Sequence, residues 1–529
     1  MKMRHRPGLS LIVLGILAIG LGFAGAITTQ AAEPLPSTSE SPQAQQALTS
    51  TYINLVFKTG GSGQAGGFIE HQGMLLNYNG AATCLGCHPD EVGQFTASNH
   101  YLWQGKLGEI NDFCGYPDIN FGPAKLTNVS GTLLDGGCAT CHAGLGEKPT
   151  LDNPSNGDCL TCHAQDYRRT AVQTPDGWRF APDLANMPAT IQIQAQPSRY
   201  SCLTCHVSAG GGGNNKRGDL SDVLVNPTPE QDVHMGNGML CTDCHLEQDH
   251  RIAGTGVDMR IDEGVAMRPC SDCHSPNTDH DPDIQPHVAK VACQTCHIPE
   301  YARAVSTDMF RDYRAVEVNP RGLYEPAITR GANVIPEYAF WNGQSGFYNF
   351  GDPIVSGQAL AWPLGDIMDG KLYPFKLHTA MLPQDPLSGA LIPAKAGILF
   401  QTGDINQAIL TGGAEASFSL SKGYTFVDTT RWMGIYHEMP PAEQALTCAE
   451  CHEATDRIDF SALGYDPLPT RNGVALCDSC HTGGAPLTFY QIHDQHVDGE
   501  AIACAECHTF NREASQLVSG AGPGWGDGS

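Results

Sequence analysis

Twenty of the 21 cysteines fall into ten C-x-x-C pairs, and every pair is followed at once by a histidine. The series begins Cys84-Cys87-His88, Cys138-Cys141-His142, Cys159-Cys162-His163 and Cys202-Cys205-His206. It continues with Cys241-Cys244-His245, Cys270-Cys273-His274 and Cys293-Cys296-His297. After a long gap come Cys448-Cys451-His452, Cys477-Cys480-His481 and Cys504-Cys507-His508. A disulfide framework would suit a cysteine-rich chain that leaves the cytosol, and zinc knuckles would suit paired cysteines. Neither explains the histidine. Histidine is 21 of 529 residues, about 4% per position, so ten matches in ten places exclude coincidence. The pattern is that of covalent haem c attachment, in which two thiols add to the vinyl groups and the next imidazole becomes the proximal iron ligand. Ten such groups would replace much of an ordinary side-chain core.

The remaining histidines bear on the second axial position. Apart from His5, ten lie outside the motifs: His71, His100, His234, His250, His280, His287, His378, His437, His493 and His496. Their number equals the number of irons, which predicts His/His ligation and low potentials. His234, His287, His437 and His496 each lie 6 to 11 residues before the next motif cysteine. That lead-in reads as a small repeat, each histidine ligating the haem of a neighbouring motif. The pairing itself stays open, and so does the choice between ten six-coordinate irons and one open iron with a histidine beside it.

Lys2, Arg4 and Arg6 precede an apolar run from Leu9 to Ile27 and the small residues Ala31 and Ala32. Residues 1–32 therefore read as a signal peptide, or as a membrane anchor if uncleaved, since the run approaches bilayer-spanning length. The expected location is periplasmic or extracellular. Residues 33–50 read as a flexible leader, 51–300 as a heptahaem region and 301–465 as a cap with the eighth motif, cysteine-free to 445. Residues 466–515 read as a C-terminal dihaem module and 516–529 as a disordered tail. The expected fold is mainly α with much irregular loop, a multihaem cytochrome c fold around a stacked haem cluster. Short helices should carry the motifs, and the cap should be loops and helices.

The charge balance, 30 Lys+Arg against 56 Asp+Glu for a net −26, argues against nucleic acid. Redox partner proteins are expected instead, and a homo-oligomer stays open. A small anionic substrate would need a local positive funnel, for which Lys216, Arg217, Lys376 and Arg260 are candidates. The many Asp residues leave room for a bound calcium, although no loop has an EF-hand pattern. Lys216 lies in a Gly/Asn loop, where a lysine is usually solvated, yet lysine shifts its pKa readily on burial and glycine permits close approach. Cys114, the one cysteine outside the motifs, is either a buried inert thiol or a reactive one.

Several stretches carry a family resemblance. They include Ile110-Asn111-Asp112-Phe113-Cys114, Gly137-Cys138-Ala139-Thr140-Cys141-His142-Ala143-Gly144, and Gly210 to Leu220 followed by Asp232-Val233-His234-Met235-Gly236. Trp341-Asn342-Gly343, Tyr373-Pro374-Phe375-Lys376 and Leu463-Gly464-Tyr465 belong to the same set. Residues from about 70 to 465 resemble the octahaem tetrathionate reductase family of periplasmic c-type cytochromes, and the two further motifs make this a decahaem variant. The resemblance implies mostly bis-His relay haems and one haem with a lysine ligand and an accessible iron face. Lys216 matches that lysine, assigned to the haem of Cys138, Cys141 and His142. Cys114 falls in the pocket, where a thiol could attack an S–S bond, with Lys376 nearby and His378 as ligand or proton donor. The implied function is electron relay to a catalytic haem that reduces a small sulfur or nitrogen oxyanion such as tetrathionate. A non-enzymatic conduit and a nitrite- or hydroxylamine-active enzyme are the alternatives.

Overall fold

Residues 425–434, Thr-Phe-Val-Asp-Thr-Thr-Arg-Trp-Met-Gly, crowd β-branched and aromatic side chains together, which suits a pleated, packed surface. In the computed structural model this segment is a central strand of a six-stranded sheet. The structure describes residues 78–102, 143–145, 150–164, 167–174, 177–183, 185, 193–207, 213–258, 263–280, 284–319, 322–452, 457–460, 462–463, 466–467, 470–471, 474–475, 492, 494–502 and 506–509. Residues 1–32, 33–50 and 516–529, with His71, Cys114, Cys138, Cys141, His142, Arg260, Cys477, Cys480, His481, His493 and Cys504, lie outside them, as does the side chain of His508.

The strands are β1 (Thr307–Val318), β2 (Tyr324–Gly331), β3 (Glu337–Trp341), β4 (Gln358–Ala359), β5 (Lys371–Gln384) and β6 (Thr425–Gly434). Their order is β2-β1-β5-β6-β4, with β3 on the first residues of β5. β5 pairs antiparallel with β6, placing His378 opposite Arg431, and parallel with β1, placing Thr379 opposite Phe310. The expectation of a mainly α protein is therefore corrected. The cap is a mixed sheet, and β5 at 14 residues is longer than the 11-residue helix Ile405–Glu415. Alternation along β5 is masked because residues such as Phe375 and Lys376, on opposite faces, are both fully buried. A strand covered on both sides loses the period-2 signature.

One end of the sheet packs on Leu391, Ile392, Leu399, Ala408 and Ile409, largely from the helices Ala396–Thr402 and Ile405–Glu415. The other end gathers Trp341, Phe375 and Trp432 with Val257. Each such apolar side chain contributes about 1.5–3 kcal/mol when buried. The motif-bearing segments hydrogen-bond to this scaffold, as where Ala292 donates N–H to the Leu372 carbonyl (3.0 Å) and Thr295 its hydroxyl to the same oxygen (2.6 Å). Among the described residues no helix is long and apolar enough to cross a membrane.

The described motifs fold as single turns. Leu160–His163, Cys293–His297 and Cys448–His452 are short α-helices, Arg199–His206 contains its motif, and Cys241–Asp243 and Cys270–Asp272 are 3₁₀ turns. Backbone N–H groups of His88, His163, His245 and His274 donate to the carbonyls of Cys84, Cys159, Cys241 and Cys270 (2.8–3.0 Å). A helical turn puts positions i, i+3 and i+4 on one face, so one turn presents both thiols and the imidazole together.

Candidate haem centres and the Lys216 loop

Among the described residues six imidazole pairs recur with one spacing. His100 stands against His206, His163 against His250, His234 against His274, His245 against His437, His280 against His297 and His287 against His452. Ring centroids are 5.8–6.3 Å apart. Each pair joins one motif histidine to one non-motif histidine. Metal–imidazole bonds of about 2 Å on both sides of an iron hold two ring centroids about 6 Å apart, so the spacing fits a haem iron between them. No disulfide joins the described cysteines to one another, as attachment requires. Burial holds His206 down to about 4 and also lowers His100, His245, His250 and His297. These rings are thus neutral, the form that ligates metal.

The outward nitrogens are anchored as ligating histidines require. Nδ1 of His163, His245 and His280 faces the carbonyls of Gln194 (2.9 Å), Ala253 (2.8 Å) and Pro276 (3.2 Å). His250 meets the Gln94 amide oxygen at 3.1 Å, and His437 meets the Asp219 carboxylate at 3.0 Å. His496 makes the same kind of contact, Nδ1 to the Ile492 carbonyl at 2.7 Å. Of the lead-in histidines, His234, His287 and His437 face the motifs of His274, His452 and His245, none of them the motif that follows next in sequence. His287→Ala is expected to convert one haem from low to high spin. That new signal should vanish when the Cys448/Cys451 motif is also removed and persist when the Cys293/Cys296 motif is removed; EPR of the oxidised protein reads both.

Attachment sulfurs of the described motifs are neighbours. The sulfurs of Cys84, Cys202 and Cys270 lie beside those of Cys159, Cys241 and Cys293. Cys162 lies close enough to Cys202, Cys244 to Cys273, and Cys296 to Cys448 and Cys451 for their charges to interact. The motifs opening at Cys84, Cys159, Cys202, Cys241, Cys270, Cys293 and Cys448 therefore form one unbroken row.

Beside this row lies the loop carrying Lys216, pinned residue by residue. Asn214, at φ +57°, donates its amide to the carbonyls of Val305 (2.6 Å) and Gly218 (3.3 Å) and accepts from the Leu220 N–H (3.0 Å). A Cβ on Gly218 would lie 2.3 Å from the Tyr301 ring, so only glycine allows this approach. Arg217 donates from Nη1 to both Asp258 oxygens (3.0 and 3.2 Å) and from Nη2 to the Gly434 carbonyl (2.7 Å). Asp219, fully buried, accepts the N–H groups of Tyr436 (2.6 Å) and His437 (3.0 Å).

Lys376 and His378 share one face of β5. Lys376 is completely buried, and its Nζ donates to the Lys216 carbonyl (2.8 Å) and to the Thr307 hydroxyl (2.7 Å). Lys376 therefore holds the backbone of Lys216. His378 puts Nε2 on the Asp308 carboxylate at 3.1 Å. Although burial opposes the charge on Asp308, its hydrogen bond to His378 and the nearby Arg311 hold that carboxyl well below the usual range. Sequence reasoning missed Asp219, Asp258, Asp308 and Thr307, whose partners are remote in the chain. Among the described residues no cluster of three or more His, Cys, Asp or Glu is arranged for a metal ion.

Residues 327–455 match a family model described as "Cytochrome c bacterial". An uncharacterized protein of Archaeoglobus fulgidus is 28% identical over a region covering 36% of this chain and 80% of its own. The crystal structure of octaheme cytochrome c from Shewanella oneidensis is similar with a TM-score of 0.59 and 29% identity, across 75% of this chain and 95% of that one.

Proposed function

We propose that this chain, a multihaem c-type cytochrome with covalently bound haem c, carries ten haems and relays electrons to one reactive site. There it reduces a small sulfur or nitrogen oxyanion such as tetrathionate. The observation that carries the reading is a shortage of ligands. His378 holds Nε2 on Asp308 and, unlike the paired histidines, faces no described motif imidazole, and setting it aside leaves nine non-motif histidines for ten irons. One iron then lacks a second histidine, and Lys216, on a loop held rigid from both ends, is the group suited to that position. The haems supply the one-electron chemistry. The chain supplies the rest. Lys376 fixes the Lys216 peptide, and the permanently charged Arg217, Arg311 and Arg431 equal Asp219, Asp258 and Asp308 in number around it. Local charge balance in an otherwise acidic protein spares an anionic substrate the repulsion it meets elsewhere. Cys114 is the proposed thiol of the pocket.

The unbroken row of seven motifs supports relay from a periplasmic or membrane-bound donor, with export directed by the N-terminal segment. The pure conduit is the second reading, favoured by the six His/His pairs, which leave those irons no open face. Reductive cleavage of tetrathionate to two thiosulfates takes two electrons. Assay of the purified holoprotein with a reduced viologen dye against tetrathionate, nitrite and hydroxylamine separates the readings. Dye oxidation fastest with tetrathionate supports the proposal, and none with any of the three leaves the conduit.

A further inference from the structure

The six imidazole pairs are not alike. Five are crossed at 60–73°, whereas the His245 and His437 planes lie 14° apart. The anchors differ as well. The described Nδ1 partners of the other paired histidines are backbone carbonyls or, for His250, a side-chain amide, but His437 donates to a carboxylate. Asp219 is fully buried, so water does not screen its charge from the ring. Its nearest cation, Arg217 at 3.8 Å, is itself matched by the two-pronged contact with Asp258. Hydrogen bonding of Nδ1–H to a buried anion pushes electron density toward Nε2 and makes the imidazole a stronger donor. A stronger donor favours the ferric state over the ferrous.

We propose that Asp219 makes the haem attached through Cys241 and Cys244 the most reducing of the six whose axial histidines are paired. One electron from the external donor enters or leaves this centre, while the proton stays on Nδ1 between His437 and Asp219 and no bond breaks. The site is fourth in the row of seven, and Asp219 belongs to the pinned loop that carries Lys216. The row thus holds the strongest reductant of its six paired haems beside that loop. The inference needs only axial ligation by His245 and His437, so it stands apart from the question of what the protein reduces.

Ring orientation supplies the label for a test. Near-parallel axial imidazoles give a rhombic low-spin EPR signal, and crossed ones give a signal of much larger anisotropy. Redox titration of the holoprotein followed by EPR should show a rhombic signal, identified as the one lost in His437→Met, titrating below the large-anisotropy signals. In Asp219→Asn that signal should move to higher potential while the others hold. A rhombic signal that titrates among or above the others overturns the proposal, and so does one that stays put in Asp219→Asn. Where that variant fails to accumulate as holoprotein, the wild-type order of potentials decides alone.

Discussion

Lys216→Ala is expected to lower viologen-linked tetrathionate reduction by about 10²–10³-fold, the scale for removing one preorganised group at a reacting centre. Haem content and the low-spin signals of the six paired haems should be unchanged. The separation is expected because other residues hold the loop as well. Asn214, Arg217 and Asp219 hold it from within, and Lys376 binds the carbonyl of residue 216, which alanine retains. The spectrum should change at one haem only, losing whatever signature the amine confers. Full activity in this variant would remove Lys216 from the site and shift the reading toward the conduit.

The second large effect is on stability. Lys376→Met keeps the apolar stem of the side chain but strips the donor from the Lys216 carbonyl and the Thr307 hydroxyl. A buried acceptor left without its donor costs about 2 kcal/mol, and the loop should loosen with it. A pH signature distinguishes this from simple repacking. Burial pushes the Lys376 amine down to about 7, whereas a lysine in the unfolded chain titrates near about 10.4. Between those values the unfolded state binds a proton that the folded state does not, so wild-type stability rises with pH across that window. In Lys376→Met that rise should be missing. Thermal unfolding at several pH values reads both effects, and an unchanged midpoint with an unchanged slope would show that Lys376 does not carry this load.

The haem sites were legible because attachment is local. Two thiols and an imidazole on one turn leave a fixed spacing in the sequence, and no fold knowledge is needed to see it. Distal ligation is the opposite case. His437 reaches back to His245, and His287 passes over the adjacent Cys293 motif to face His452. Lead-in position in sequence does not encode such partners. The sheet was missed for a different reason: β5 is buried on both faces and carries Lys376 and His378 among its apolar residues, so it lacks both the alternation of a half-exposed strand and the run of a purely apolar one. The carboxylates that organise the loop were equally hidden. Asp219 and Asp308 look like any surface aspartate until the fold brings His437 and His378 to them.

All of this depends on iron porphyrins tethered through the paired cysteines and clasped between facing imidazoles. Intact mass of the mature, denatured protein tests that most directly. The expected result is the polypeptide mass plus ten covalently added haems; a mass equal to that of the bare polypeptide contradicts it.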